Sequence, residues 1–219
     1  MTYNELLLQA HRMTSHDKDY QKSIELYTEA INISPNDYNA YHGRGIAKNL
    51  STNYKAAIED YNIAISIDPG EAKLYLSRAS SYKKLKRYSD SLKDYDKAIE
   101  LDPHSWNYKF RGDLKYFSEY FSEAIEDYTI AISLGKSFPN ACLCRGLAKN
   151  KLNDITGAIK DYDEAIRRKP DYAAAYLNRG LAKIELNLQD GYDDIEKGNS
   201  LLYPFEETYF DDMGDMWVK

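Results

Sequence analysis

Apolar and small residues return along this chain at two nested periods. Over short stretches they fall at helical spacing: Tyr41, Gly45 and Lys48 stand at i, i+4, i+7, and Ala57, Tyr61 and Ala64 repeat the pattern before Asp68-Pro69 stops it. That describes two helices joined by a tight turn. Over longer stretches the second-helix frame recurs as Ser23-Tyr27-Ala30, Ala57-Tyr61-Ala64, Ser91-Tyr95-Ala98, Ala124-Tyr128-Ala131 and Ala158-Tyr162-Ala165, then more weakly as Gly191-Ile195-Gly198. Successive central residues are 34, 34, 33, 34 and 33 positions apart. A fixed period of this length, each unit a helix pair, predicts a solenoid in which neighbouring units cover one another's apolar faces.

First helices carry an aromatic followed four residues later by a small residue, as in Tyr41/Gly45, Tyr75/Ala79, Tyr108/Gly112 and Tyr176/Gly180, and Pro35, Pro69, Pro103 and Pro170 close the units. On these residues the chain resembles the tetratricopeptide repeat proteins. The resemblance implies an all-α, right-handed superhelical solenoid of antiparallel helix pairs, without strands. Six repeats fit, at about 3–36, 37–70, 71–103, 104–137, 138–171 and 172–203. Departures are local: Leu7 and His11 replace the first aromatic/small pair, Cys142 replaces an aromatic, and Lys136 stands where Pro is expected. The expected meeting point of each pair is its small residues, with the Tyr rings filling the wedge between pairs. Residues 204–219 hold five acids and six large apolar side chains, and read as a capping helix to about Met213 or as an acidic, aromatic tail.

Composition narrows the function. The chain has 219 residues, a net charge of −6 and a pI near 5.3, which disfavours a nucleic-acid backbone as partner. No apolar run is long enough to span a membrane and no secretory leader is evident, so a cytoplasmic location is expected. Cys142 and Cys144 lie two apart on one predicted helix, unsuited to a disulfide, and the four histidines fall in different repeats. Neither a metal nor a cofactor is expected. With no HExxH, GxSxG or Gly-rich phosphate loop, the chain does not read as an enzyme.

One charge pattern follows the repeat. Arg44, Arg78, Arg111, Arg145 and Arg179 each precede a small first-helix residue, and Asp60, Asp94, Asp127, Asp161 and Asp194 each precede the central residue of the second helix. Repeat one has Ala10 and Leu26 at these places and loses both charges together. Joint presence and joint absence predict an Arg–Asp ladder along the helix-pair seams.

The resemblance also implies that first helices line a groove for peptides, and that the chain is an adaptor for a protein or peptide partner. A self-assembling homo-oligomer is the alternative, and a helical-repeat nucleic-acid binder a more distant one. A clamp for chaperone carboxyl termini is disfavoured, since among Leu8, Arg12, Gly43, Lys73 and Ser77 only Lys73 matches that subset. Large apolar groups are hardest to excuse in repeat four, where Trp106, Phe110 and Phe117 occupy places held by Lys73, Ser77 and Lys84 in repeat three. They read either as core, if the helix is rotated, or as a pocket extended by Leu143, Leu147, Leu177 and Asn178. Lys109 is expected on the rim of that pocket, facing an apolar ligand with acidic flanks. The chain's own Met213–Trp217 is one candidate occupant.

Overall fold

The computed structural model describes residues 1–135, 138–202, 209–210 and 216–217. The chain divides into two compact units, residues 1–120 and 121–219. The first holds α1 (Tyr3–Arg12), a π-helical turn (Met13–Asp17), α2 (Tyr20–Ile33), α3 (Tyr38–Leu50), α4 (Tyr54–Ile67), α5 (Ala72–Lys84), α6 (Tyr88–Leu101) and α7 (Ser105–Phe117). In the second unit are α8 (Phe121–Leu134), α9 (Pro139–Lys151), α10 (Ile155–Arg168), α11 (Ala173–Glu185) and α12 (Gly191–Leu202). Within each unit every helix packs on the next.

Local chemistry sets the helix ends. Thr2 and Glu5 form a reciprocal capping box, while Asp19, Asp37, Asn53 and Asp154 each accept a backbone N–H from the first turn that follows. Helices α3, α5, α7, α9 and α11 end alike. After α3 the Thr52 N–H bonds the Asn49 carbonyl and the Asn53 N–H bonds that of Lys48, which forces Thr52 to a left-handed φ of 66°. Lys86, Glu119, Asn153 and Asn187 take the same conformation at the same place in their repeats.

The interior repeats as the helices do. Tyr61, Tyr128 and Tyr162 are fully buried, as are Ala30, Ala64, Ala98, Ala131 and Ala165. Contact within a pair adds a tyrosine ring to the expected small residues. A Cβ on Gly45 would lie 2.5 Å from the ring of Tyr61, and one on Gly146 would lie 2.6 Å from that of Tyr162. Small residues meet in the last two repeats, where a Cβ on Gly146 would lie 3.2 Å from the Ala158 carbonyl and one on Gly180 2.7 Å from that of Gly191, and the first-helix glycine also admits the tyrosine of its own repeat. Ring bulk is the reason: an aromatic this large, fully buried beside the first helix, leaves no room for a side chain opposite.

Four of the expected Arg–Asp pairs are present, each bidentate. Arg78 donates from Nε to Asp94 at 2.8 Å and from Nη2 at 2.7 Å, and Arg44–Asp60, Arg145–Asp161 and Arg179–Asp194 follow the same geometry. Arg111 and Asp127 belong to different units, so that rung remains an expectation. The remaining nitrogen, Nη1, reaches back to the preceding repeat. It donates to Thr28 from Arg44, Asn62 from Arg78, Asp96 from Arg111, Thr129 from Arg145 and Asp163 from Arg179. Each acceptor directly follows the central tyrosine of its helix. Lys48, Lys149 and Lys183 add a second cation to Asp60, Asp161 and Asp194. Burial alone would raise the Asp194 carboxyl, but the bonds from Arg179 and Lys183 outweigh it and hold the group below its ordinary range.

Past α12 the expectation of no strands fails. Strands β1 (Tyr209–Phe210) and β2 (Met216–Trp217) pair antiparallel, with Tyr209 opposite Trp217 and Phe210 opposite Met216. The expected capping helix runs through Tyr209 and Phe210, where the backbone is extended instead; Met213 and the remainder of that stretch lie outside the described residues. Aromatic residues favour strands, and the intervening Asp-Asp-Met-Gly-Asp is poor helix sequence. Residues 3–202 contain no strand among the described residues.

Candidate functional site

In the first unit α3 lies beside α1 and α5, so first helices are neighbours. Their shared face opens as two clefts that meet at Leu76 and Ser80 of α5. The smaller, about 270 Å³, lies between α3 and α5 and is lined by Ile46, Asn49, Leu50, Tyr61 and Ser77 as well. The larger, about 550 Å³, runs from α5 to α7 and adds Lys83, Lys84, Lys86, Tyr88, Tyr95, Phe110, Asp113 and Phe117.

Aromatic rings form its walls. Tyr95 and Phe110 stack with centroids 6.5 Å apart, Trp106 lies 5.9 Å from Phe110, and Tyr88 meets Phe117 edge-on at 6.0 Å. Trp106 is 46% exposed, Phe110 37% and Phe117 65%, so the reading of these residues as core does not hold. Tyr95 is buried and supplies the floor; burial, with Asp113 and Asp94 nearby, pushes its hydroxyl up to about 12. It remains a neutral phenol at any ordinary pH.

Lys109 does not stand on the rim as a free charge. Its Nζ bonds Asp113 Oδ2 one turn along α7 at 2.6 Å, and both side chains are largely covered. Lysine four residues before aspartate on a helix makes that pairing, and the spacing was visible in the sequence. Positive charge comes instead from the last turn of α5 and the turn beyond it. Lys83, Lys84 and Lys86 have no ion-pair partner among the described residues, whereas the adjacent Arg87 is held by Asp90 at 2.7 Å. The run Lys83-Lys84-Leu85-Lys86 was the overlooked signal.

His42 joins α3 to α5 above the smaller cleft. Its Nε2 lies 2.9 Å from Ser77 Oγ and its ring centroid 5.9 Å from that of Tyr61. Burial, reinforced by Lys73 and opposed by Glu71, pushes the imidazole pKa down to about 4. It is a neutral hydrogen-bonding group, not a cation offered to a ligand.

In the second unit Leu143, of the four expected pocket residues, is buried, whereas Leu147, Leu177 and Asn178 are half-buried. Leu143 is only 7% exposed and belongs to a core cluster with Ile155, Ala158 and Tyr162, against which Leu147 also packs. Leu177 lies over Gly198 of α12, where an added Cβ would meet it at 2.7 Å. Asn178 turns its amide back to the Ala174 carbonyl at 2.7 Å. Leu143 therefore offers no surface to a ligand, because its side chain is spent on that core. Both cysteines are thiols outside any disulfide, Cys142 buried and Cys144 half-buried. Among the described residues no cluster suited to a metal occurs, and no helix is long and apolar enough to cross a membrane.

Comparison with known proteins bears on the repeats. The tetratricopeptide repeat model matches residues 72–105, and a second TPR repeat model matches residues 146–186. No curated protein matches. Among solved structures, MamA is similar at 23% identity with a TM-score of 0.68, over 73% of this chain and 95% of its own. YrrB, described as a TPR protein with an unusual peptide-binding site, is 17% identical with a TM-score of 0.65, over 80% of this chain and 91% of its own. PilF of Pseudomonas aeruginosa is 16% identical with a TM-score of 0.77, over 93% of both chains. At these identities the likeness is one of fold. With helix pairs on one frame from Tyr3 to Leu202 and family matches in its third, fifth and sixth units, the chain is a tetratricopeptide repeat protein.

Proposed function

We propose that this protein is a non-catalytic interaction adaptor that takes a peptide or protein segment against the first-helix face of residues 1–120, with the α5–α7 cleft as its anchor point. Exposure of Phe110 and Phe117 carries the reading. Their counterparts in repeat three are Ser77 and Lys84, so the repeat does not require aromatic residues there. A ring left half in water beside a ready cleft gains from being covered by a partner. The peptide-binding site ascribed to YrrB supports this use of the fold. The partner's contact segment carries apolar anchors and acidic flanks.

Selection of a random peptide library on the whole protein tests the reading, followed by calorimetry of an enriched peptide. Phe110→Ala should weaken that peptide by about 30-fold, the loss of one anchor worth about 2 kcal/mol, with the helical circular dichroism unchanged. Unaltered affinity would remove this cleft from the site. Self-assembly is the second reading, favoured by Leu181, Leu188 and Tyr192, which lie exposed on and between α11 and α12. Light scattering across a concentration range reports it directly: a constant monomer mass excludes it.

A further inference from the structure

Resting on that reading of the cleft, we infer that Lys83, Lys84 and Lys86 select the ligand by reading side-chain carboxylates set beside an aromatic anchor. The charges near the cleft divide into two groups. Lys109 and Asp113 satisfy each other at 2.6 Å, Arg87 is held by Asp90, and Lys73 lies 3.2 Å from Glu71 and 3.1 Å from the Tyr38 hydroxyl. The three lysines have no such partner among the described residues, yet all three line the same cleft as Phe110 and Phe117. A net-negative chain that concentrates unmatched positive charge beside exposed rings presents a surface complementary to an acidic, aromatic segment.

Donor geometry sets the chemical class. Each lysine offers a single ammonium on a flexible stem, and the one guanidinium beside them is already committed to Asp90. No free planar fork lines the cleft to grip a phosphate through two bonds at once, so separate carboxylates spread along a segment suit the three donors better. The wall rings favour a flat anchor. Tyr95 and Phe110 are stacked while Tyr88 and Phe117 meet edge-on, so an entering ring finds both a face and an edge to pack against.

The test uses the full-length protein and a random peptide library joined to its carrier through the peptide's carboxyl end, so that only side-chain acids are offered. Parallel selections are run on the wild type, on the triple variant Lys83→Glu/Lys84→Glu/Lys86→Glu, and on Phe110→Ala. Wild-type selection should enrich Asp or Glu within a few residues of Phe, Tyr or Trp, and the triple variant should lose those sequences. An enriched peptide should bind the triple variant about tenfold or more weakly, and binding to the wild type should fall as salt shortens the screening length. Peptides that depend on Phe110 but show no acidic enrichment, or that bind the triple variant equally well, overturn this inference and leave the cleft reading standing. Peptides indifferent to both changes overturn the two together. A phosphorylated version of an enriched peptide that outcompetes its Asp or Glu form by tenfold or more would replace carboxylate by phosphate as the group read.

Discussion

The seam inside each repeat and the outer face of its first helix obey different rules. Along the seam Arg44, Arg78, Arg145 and Arg179 repeat one geometry, each closing a bidentate pair and reaching back with a third bond. On the face, neighbouring α5 and α7 share a frame yet carry Ser77 and Lys84 against Phe110 and Phe117. Packing fixes the first set, because a misplaced side chain there strands a covered charge. Nothing in the fold fixes the second set, so the face is free to differ from one repeat to the next.

The largest effect expected from testing that contrast is on the seam of repeat three. Asp94 has Arg78 as its only cation among the described residues, since Tyr82 stands where the other repeats carry lysine. Arg78→Ala should cost about 3 kcal/mol in urea unfolding, as an uncompensated covered carboxylate does. Arg145→Ala should cost distinctly less, because Lys149 still holds Asp161 at 2.8 Å. Equal losses for the two would show that the lysines contribute nothing to the seam.

His42 couples the face to the seam and supplies the next effect. Its folded pKa of about 4 lies below the ordinary histidine value near 6.5, so the unfolded chain binds the proton more readily. The associated stability is complete above about pH 6.5 and is lost as pH falls toward 4. At pH 5 the loss should be about 2 kcal/mol, and His42→Asn should flatten the pH dependence over that window. An NMR titration of the imidazole gives the same answer independently: a midpoint near 6.5 contradicts it.

Two smaller effects complete the contrast. Thr52 holds a left-handed φ with a β-branched side chain, where glycine or asparagine is easier, so Thr52→Asn should raise stability by about 0.5–1 kcal/mol. Phe117→Ala, on the open face, should shift stability by less than about 0.5 kcal/mol while weakening a bound peptide. A larger loss of stability would mean that the ring supports its own repeat.

Much of this was legible in the chain. The 33- or 34-residue recurrence identified the helix pairs, and the joint loss of arginine and aspartate in repeat one marked them as partners. The third bond of each arginine was missed, although its acceptors, Thr28, Asn62, Asp96, Thr129 and Asp163, stand at one place in five successive repeats. The aromatic part of the face was read from Phe110 and Phe117 standing where repeat three has polar residues. The charged part was not, because pattern reading treats each lysine alone, and only spatial packing shows which are already neutralised. Leu143 was misplaced for a related reason: its counterpart in α5, Leu76, lines the cleft, whereas Leu143 packs with Ile155, Ala158 and Tyr162, which spacing alone does not show. The tail was read by helical periodicity, which two-residue strands do not display.

The back-reaching arginine has a consequence for how such a chain arises. Each described bidentate carboxylate–guanidinium pair is closed within a single repeat, and of its arginine's bonds only the one from Nη1 crosses to the repeat before. A duplicated block of about 34 residues therefore brings both members of its own pair with it, and for this arginine needs only a side-chain oxygen acceptor on the preceding second helix at its new boundary. Thr, Asn and Asp all serve. Repeats built this way are interchangeable parts, and a lineage can lengthen, shorten or reorder them while the outward face of each copy drifts toward a partner of its own.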